Sequence, residues 1–317
     1  MRHLRNILVG VDLVGGDLLA TSDLSIPTRE AVDQAVWLAR HTSAELTFFA
    51  AIDVSAHAQE LLRERYEHAS RNVQDLTNQA LDELVKHAQQ AHVTARRQAA
   101  FGTPWREIIR QVLRGKHDLV VVGTRDLNRA ERILFGSTGI KLLHNCPCPV
   151  WITKPGEKRE VQHVLVASDL GEVSLDALHM AVTFGQLTDT RTHLLHAVEY
   201  DFEKGLWRAY MPEDELDAFR AKRRADAERT LQDQLAQTDH RTLPYGVQVH
   251  LAESPADDAI LAAVKQYDID LLVMGTVARS GIPGLVIGNT AERLLPQVSC
   301  SLLAVKPAGF ESPVTLE

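Results

Sequence analysis

Short apolar runs alternate along the chain with longer segments in which apolar residues recur at helical spacing. The run Asp118–Val122 is almost entirely Leu and Val, which is typical of a strand buried on both faces of a parallel sheet. Ala31, Ala35 and Ala39 are spaced one helical turn apart, which predicts a helix with a face of small residues. Strands that alternate with helices in this way predict βαβ crossovers and an α/β fold.

The same order of elements occurs twice. The strand at residues 6–12 (NILVGVD) matches residues 163–169 (HVLVASD), and residues 118–124 match residues 270–276. Gly123 and Gly275 are 152 residues apart, and so are Gly136 and Gly288. One offset kept across a strand, a loop and a helix indicates a duplicated domain.

The duplication predicts two tandem Rossmann-like domains, each with a five-stranded parallel sheet and flanking helices. The predicted domains span residues 1–155 and 161–308, with a polar linker between them and a C-terminal tail at 309–317. The longest helices are expected near residues 56–90 and 213–237. The copies differ in two connections, an insertion at 13–28 in the first and an aromatic-bearing segment at 199–212 in the second.

Composition narrows the classes of partner and location. The formal net charge of -8 argues against nucleic acid and anionic membranes, because both need clustered Lys and Arg. No apolar stretch approaches the roughly 18 residues of a membrane span. Three cysteines do not form a disulfide framework, which favours a reducing compartment. A cytoplasmic location is therefore expected.

The glycines carry the candidate chemistry. Gly123 and Gly275 follow a buried strand, and Gly136 and Gly288 precede the last helix of each repeat. Glycine lets the backbone approach an anion closely, and the N–H groups at a helix start point toward it. The pattern predicts a phosphate cradle at the carboxyl ends of the strands, where ligands of such sheets bind.

Other polar residues have a structural interpretation beside the functional one. Asp12 and Asp169 end the first strand of each repeat, as ligand-facing acids or as strand-end caps. Cys146 and Cys148 are spaced like a metal pair, but Cys148 recurs as Cys300 ahead of the last strand, where a small buried residue fits. A zinc site needs further ligands at defined spacing, and none is evident, so no metal ligands are expected among the cysteines. Walker A, HExxH and early GxGxxG motifs are also absent from the sequence.

The glycine loops resemble those of the universal stress protein family. Its ATP-binding members carry Gly, two residues, Gly, nine residues, and then Gly followed by Ser, Thr or Asn. Both repeats keep this spacing, ending in Gly136-Ser137-Thr138 and in Gly288-Asn289-Thr290. The resemblance runs from Leu4 to about Pro307 and favours the tandem, two-domain E type. It implies an adenine-nucleotide α-hydrolase-like fold in each domain.

The resemblance also implies a nucleotide site in each repeat, at three strand ends and the glycine loop. In the first repeat these residues are Val11, Asp12, Ala51, Val122, Gly123, Thr124, Asp126, Gly136, Ser137 and Thr138. In the second repeat they are Ser168, Asp169, Ala197, Met274, Gly275, Ala278, Gly288, Asn289 and Thr290. The expected ligand is ATP, with Mg²⁺ as a candidate companion.

Both repeats depart from the family at its second glycine. Ala278 restricts φ, and Asp126 places a carboxylate near phosphates, which repels them unless Mg²⁺ or a nearby arginine compensates. The resemblance implies a stress-response regulatory protein that holds adenine nucleotide. A slow ATP hydrolase and a diverged small-molecule carrier or scaffold stay open as alternatives, because the fold does not decide among them.

The resemblance further implies a pairing of the two repeats within one chain. Single-domain family members dimerise through their last strands, so residues 150–152 are expected beside residues 302–304 as an intrachain pseudo-dimer. Whether two chains then form a homodimer stays open.

Overall fold

The computed structural model describes residues 4–13, 24–53, 67–124, 135–154, 161–200, 212–276 and 288–316. The chain divides into two compact units. The first contains residues 1–160, 276–287 and 301–317, and the second contains residues 161–275 and 288–300. Within the described ranges, every helix is too short or too polar to cross a membrane.

The first unit is built on a parallel sheet. Its strands are β1 (Asn6–Gly10), β2 (Glu45–Ile52), β3 (Ala95–Phe101), β4 (Leu119–Gly123) and β5 (Val150–Thr153). They pair in parallel in the order β3-β2-β1-β4-β5. The five parallel strands predicted for the first repeat are therefore confirmed. The helices of this unit are α1 (Ile26–Thr42), α2 (Glu67–Gln90), α3 (Pro104–Gly115) and α4 (Ser137–Asn145).

The core follows the apolar pattern of the sequence. The side chains of Leu119, Val120 and Val121 are fully buried, as expected for a strand covered on both faces. The small face of α1 is buried as well, with Ala31 and Ala35 at 0% exposure. Small residues on this face let the helix pack closely on the sheet.

The second unit repeats the parallel sheet with four strands. They are β6 (His163–Ser168), β7 (Arg191–Ala197), β8 (Val247–Ala252) and β9 (Leu271–Gly275), in the order β9-β6-β7-β8. The helices are α5 (Glu172–Leu187), α6 (Glu213–Ala236), α7 (Ala256–Gln266) and α8 (Asn289–Leu294). Ala177, Ala181 and Gly185, each four residues apart, lie on the buried face of α5.

The last strand of the second repeat, β10 (Ser301–Val305), lies in the first unit. It pairs antiparallel with β5, so that Leu302 is opposite Ile152 and Leu303 is opposite Trp151. The predicted pairing of these segments is confirmed. The physical reason is that β5 would otherwise be an edge strand, and β10 pairs with the backbone N–H and C=O groups that such an edge leaves unpaired.

Candidate functional site

The first candidate site lies where the strand order reverses. The chain runs from β1 to β2 and β3 on one side and continues with β4 and β5 on the other. In open α/β sheets this reversal leaves a crevice outside the carboxyl ends of the strands. Gly10 at the end of β1 is in register with Phe49 and Val122, and the Val11 N–H donates to Phe49 O at 2.8 Å. The predicted residues Val11, Asp12, Ala51, Val122, Gly123 and Thr124 therefore share one edge of the sheet.

Helix α4 begins beside this edge. Gly136 is its N-cap residue and provides no side-chain cap, and Ser137 and Thr138 open its first turn. A Cβ on Gly139 would lie 3.1 Å from Ile152 Cδ1, and Ile152 is in register with Val122 of β4. The first backbone N–H groups of a helix have no partner within the helix, so they attract an anion. The predicted glycine loop thus ends in a helix start adjacent to the strand-order reversal.

Gly123 and Gly275 have a packing reason that the sequence does not show. A Cβ on Gly123 would lie 2.3 Å from Pro27 O, in the first turn of α1. A Cβ on Gly275 would lie 2.9 Å from Val173 Cγ1, in the first turn of α5. In both repeats the glycine therefore lets the first helix approach the end of the fourth strand, whether or not a ligand is bound.

The second candidate site differs at the end of its first strand. The Ser168 hydroxyl donates to Ser174 Oγ at 3.1 Å and accepts the Leu170 N–H at 3.0 Å. Asp169 Oδ1 accepts the Gly171 N–H at 2.9 Å. Leu170 has a φ of 66°, a conformation that these two bonds help to hold. Both predicted ligand residues thus shape the tight turn into α5, which corresponds to the cap interpretation of Asp169.

The sequence did not single out His196, which lies at the same strand ends. Its Nδ1 donates to Ser168 O at 2.8 Å, because a carbonyl can only accept. Gln234 from α6 also reaches this turn, and its Nε2 donates to Gly171 O at 3.3 Å. No local motif marks either residue. The one available signal is the repeat alignment, which places His196 opposite Ala50, next to the predicted Ala197.

The start of α8 is braced by an ion pair. Arg293 Nε donates to Asp257 Oδ2 at 2.7 Å, and its second contact to Oδ1 is 3.3 Å. This hydrogen-bonded pair lowers the pKa of the Asp257 carboxyl. Asp257 lies in the first turn of α7, so the pair holds α8, with Gly288, Asn289 and Thr290 at its start, against α7.

Two predicted site residues, Asp126 and Ala278, lie outside the described residues. Met274 lies in register with Ala167, and Gly275 follows it at the end of β9.

All three cysteines are buried, as expected of small apolar residues. A hydrogen bond with Cys146, together with burial, raises the pKa of the Cys148 thiol. Across the described ranges, no three or more His, Cys, Asp or Glu side chains are grouped to hold a metal ion.

The repeated α/β fold, with glycines at the carboxyl ends of its parallel strands, defines the class of tandem Rossmann-like α/β proteins. The family model described as "Universal stress protein family" matches residues 3–154 and again residues 160–306. The chain therefore belongs to the universal stress protein family, as a tandem protein of the E type.

Individual relatives agree with this assignment. Universal stress protein E of Escherichia coli strain K12 is 28% identical over 227 residues, which cover 68% of each chain. Among solved structures, a universal stress protein from Archaeoglobus fulgidus covers 96% of this chain and 99% of its own, with a TM-score of 0.66 at 18% identity. A functionally unknown protein from Pseudomonas aeruginosa PAO1 covers 96% of this chain and 93% of its own, with a TM-score of 0.69 at 23% identity. These two structures share the fold.

Proposed function

We propose that this chain binds adenine nucleotide, with ATP as the ligand, and acts as a regulatory protein of the stress response. The observation that carries the proposal is the start of α4, which has no side-chain cap and lies beside the strand-order reversal of the first unit. Such a helix start favours phosphate, and the adjoining strand ends form the crevice for a nucleoside. The family resemblance of the glycine loops supports the choice of adenine.

The first site is proposed as the stronger of the two. Helix α4 has nine residues, whereas α8 has six, so α4 offers the larger helix dipole. In the second unit, the Ser168 hydroxyl and one Asp169 oxygen already bond within the turn that precedes α5. A nucleotide there would have to share or displace these bonds.

The first experiment is native mass spectrometry of the purified full chain, with the released ligand identified and its stoichiometry measured. One adenine nucleotide per chain supports an asymmetric sensor, and two support two working sites. If no nucleotide is found and added Mg-ATP does not bind, the proposal is wrong. Phosphate release measured in the same samples separates a holder of nucleotide from a hydrolase.

A matched pair of variants assigns the phosphate site. Ser137→Glu places a carboxylate at the start of α4, where it favours the helix but repels phosphate. We expect at least a tenfold weaker affinity for Mg-ATP, since one repulsive contact of about 1.4 kcal/mol is sufficient for that loss. Ser137→Ala keeps the backbone N–H groups and serves as the control. Asn289→Glu tests the second site in the same way.

A further inference from the structure

Three histidines and a tyrosine are stacked inside the second unit. His163 begins β6, His193 lies on β7, His250 lies on β8, and Tyr267 follows α7. The ring centroids of His193 lie 5.8 Å from His163, 5.3 Å from His250 and 4.7 Å from Tyr267. These four residues are called the histidine cluster. Because their spacing in the sequence follows no motif, only the sheet brings them together.

The hydrogen bonds of the histidine cluster form a chain. His193 Nδ1 lies 3.0 Å from His250 Nε2, and Tyr267 Oη lies 3.3 Å from His250 Nδ1. With neutral rings, each of these bridges holds one proton between two nitrogens or between nitrogen and oxygen. His193 Nε2 and His163 Nδ1 are buried and have no hydrogen-bond partner among the described residues.

Protonation of His193 leaves one of its two N–H groups without an acceptor inside this arrangement. Protonated His193 carries N–H groups on both ring nitrogens, and its Nε2 points at no acceptor in the described part of the chain. His250 then has protonated His193 next to its Nε2 and the Tyr267 hydroxyl next to its Nδ1. The side chain of His193 is also only 3% exposed, so water does not solvate the charge.

Among the charged groups around the cluster, the positive charge of Arg191 adds to this cost. Charged residues on the elements around the cluster are Arg191 on β7, Lys265 and Asp268 at the end of α7, and Asp270 before β9. Asp270 is engaged by the backbone N–H groups of Gln162 and His163, each at 2.9 Å. Burial, together with His250, His163 and Arg191, lowers the pKa of His193 to about 4, and burial lowers the pKa of His250.

We propose that the histidine cluster is an acid-responsive element, in which proton uptake loosens the packing of β7 and β8 against α7. Neutral rings stack and share single protons, whereas charged rings repel one another and protonated His193 lacks an acceptor at Nε2. His196 and Ala197 lie three and four residues further along β7, at the candidate ligand edge. Acidification therefore reaches that edge through one strand. The proposal is independent of nucleotide binding.

The direction of the pH effect on stability follows from the lowered pKa of His193. An unfolded histidine titrates near pH 6.5, so the unfolded state binds more protons than the folded state between pH 6.5 and about 4. The stabilising effect of neutral His193 is complete above pH 6.5 and is lost as pH falls toward 4. From pH 7.5 to 5.5, the opening equilibrium constant of this region should rise about tenfold.

The test is hydrogen–deuterium exchange of the full chain at pH 7.5 and 5.5, corrected for the intrinsic exchange rate. Peptides covering residues 191–200 and 247–252 should show the roughly tenfold rise in opening. His193→Gln should reduce that rise to less than about threefold, because the titrating ring is gone. The matched control is His41→Gln, an exposed histidine of the first unit, which should leave the rise unchanged. An undiminished rise in His193→Gln overturns the proposal.

A second measurement covers the case in which His193→Gln does not fold. NMR titration of the histidine C2 protons in the wild-type chain should show His193 titrating below pH 5. Titration near pH 6.5 would contradict the proposal. His250→Gln removes the bridge to His193 without removing that ring, and it should move the His193 titration.

Discussion

At the scale of single residues, Gly123 and Gly275 show how one glycine position carries two demands. From sequence, both glycines are interpreted as parts of a phosphate loop. The structure adds that each lets a helix start approach a strand end, because an added Cβ would meet backbone at Gly123 and a side chain at Gly275. A backbone atom cannot move aside as a valine methyl group can.

The two repeats therefore make a matched experiment. We expect Gly123→Ala to destabilise the protein by about 1–3 kcal/mol, because its Cβ would lie 2.3 Å from Pro27 O. Gly275→Ala should cost less, since Val173 Cγ1 at 2.9 Å can rotate away. Urea unfolding of the two variants measures the difference. Equal losses would contradict the packing explanation.

His117 in the first unit is a second buried neutral histidine. Its Nδ1 donates to Gln111 O at 3.2 Å, and its Nε2 accepts from Thr47 Oγ1 at 3.1 Å. The Thr47 hydroxyl also accepts from Arg96 Nε at 2.9 Å, which leaves its own proton for the imidazole. Burial lowers the pKa of His117 to about 4.

This environment predicts a loss of stability in acid. The stabilising effect of neutral His117 is complete above about pH 6.5 and declines as pH falls toward 4. Between pH 7.5 and 5, we expect His117→Gln to remove about 1–2 kcal/mol of the fall in unfolding free energy seen in wild type. Urea unfolding at both pH values tests this, with His41→Gln as the control.

At the scale of elements, the repeats brace their last helix by different chemistry. In the second unit the Asp257–Arg293 ion pair joins α7 to α8. The corresponding positions of the first unit, 152 residues earlier, are Trp105 and Lys141, and Lys141 Nζ stands 5.7 Å from the Trp105 ring centroid. The last helix thus contacts the preceding helix through an ion pair in the second unit and through a cation–π contact in the first.

The ion pair should make a small contribution to stability, and that contribution should decrease as the salt concentration rises. Because the Arg293 side chain is 52% exposed, we expect Asp257→Asn to cost less than about 1 kcal/mol. The loss should shrink in 1 M NaCl. Asp258→Asn removes the same charge from the same helical turn and is the control. Equal effects of the two variants would assign the loss to the helix dipole instead of Arg293.

Lys306, which follows β10, ties the end of the second repeat to the first unit. Its side chain is 1% exposed, its Nζ donates to Leu143 O near the end of α4, and it lies 4.8 Å from the Phe310 ring centroid. Burial lowers the pKa of Lys306 to about 8. A buried lysine is therefore held at the C-terminal end of a helix, where its charge is favoured.

The lowered pKa of Lys306 predicts that the free energy of unfolding increases at alkaline pH. The unfolded lysine keeps its proton up to about pH 10.5, whereas the folded one loses it near 8, so stability increases between these values. Lys306→Met should abolish that increase in urea unfolding at pH 7.5, 9 and 10. Lys154→Met, at the repeat-equivalent and more exposed position, should keep it.

At the scale of the whole molecule, β10 makes the first unit depend on the end of the chain. Its pairing with β5 and the contact of Arg110 Nε with Thr315 O at 3.2 Å place the last residues on the first unit. A chain of residues 1–160 lacks both contacts, so the edge of β5 that pairs with β10 has no partner strand within that chain. Exposed strand edges recruit further strands.

We therefore expect residues 1–160 alone to self-associate, whereas co-expression with residues 161–317 should yield a 1:1 complex. Light scattering coupled to size-exclusion chromatography measures both masses. A stable monomer of residues 1–160 would show that β10 is dispensable for covering that edge.

The sequence by itself determined the duplication, the order of strands and helices, the family and the burial of the cysteines. The duplication and the order of elements follow from local periodicity and from an offset of 152 residues, whereas the family follows from the resemblance of the glycine loops. It also placed segment 302–304 beside 150–152, because the resemblance supplied a known partner for the last strand.

Tertiary structure alone decided the rest. The turn function of Asp169, the packing demand on Gly123 and the histidine cluster each join residues that are separated by helices or strands. His193 and His250 are 57 positions apart and meet only because β7 and β8 are neighbours. A side chain's partners depend on which strands are adjacent and in which register they pair, and local sequence periodicity determines neither of these.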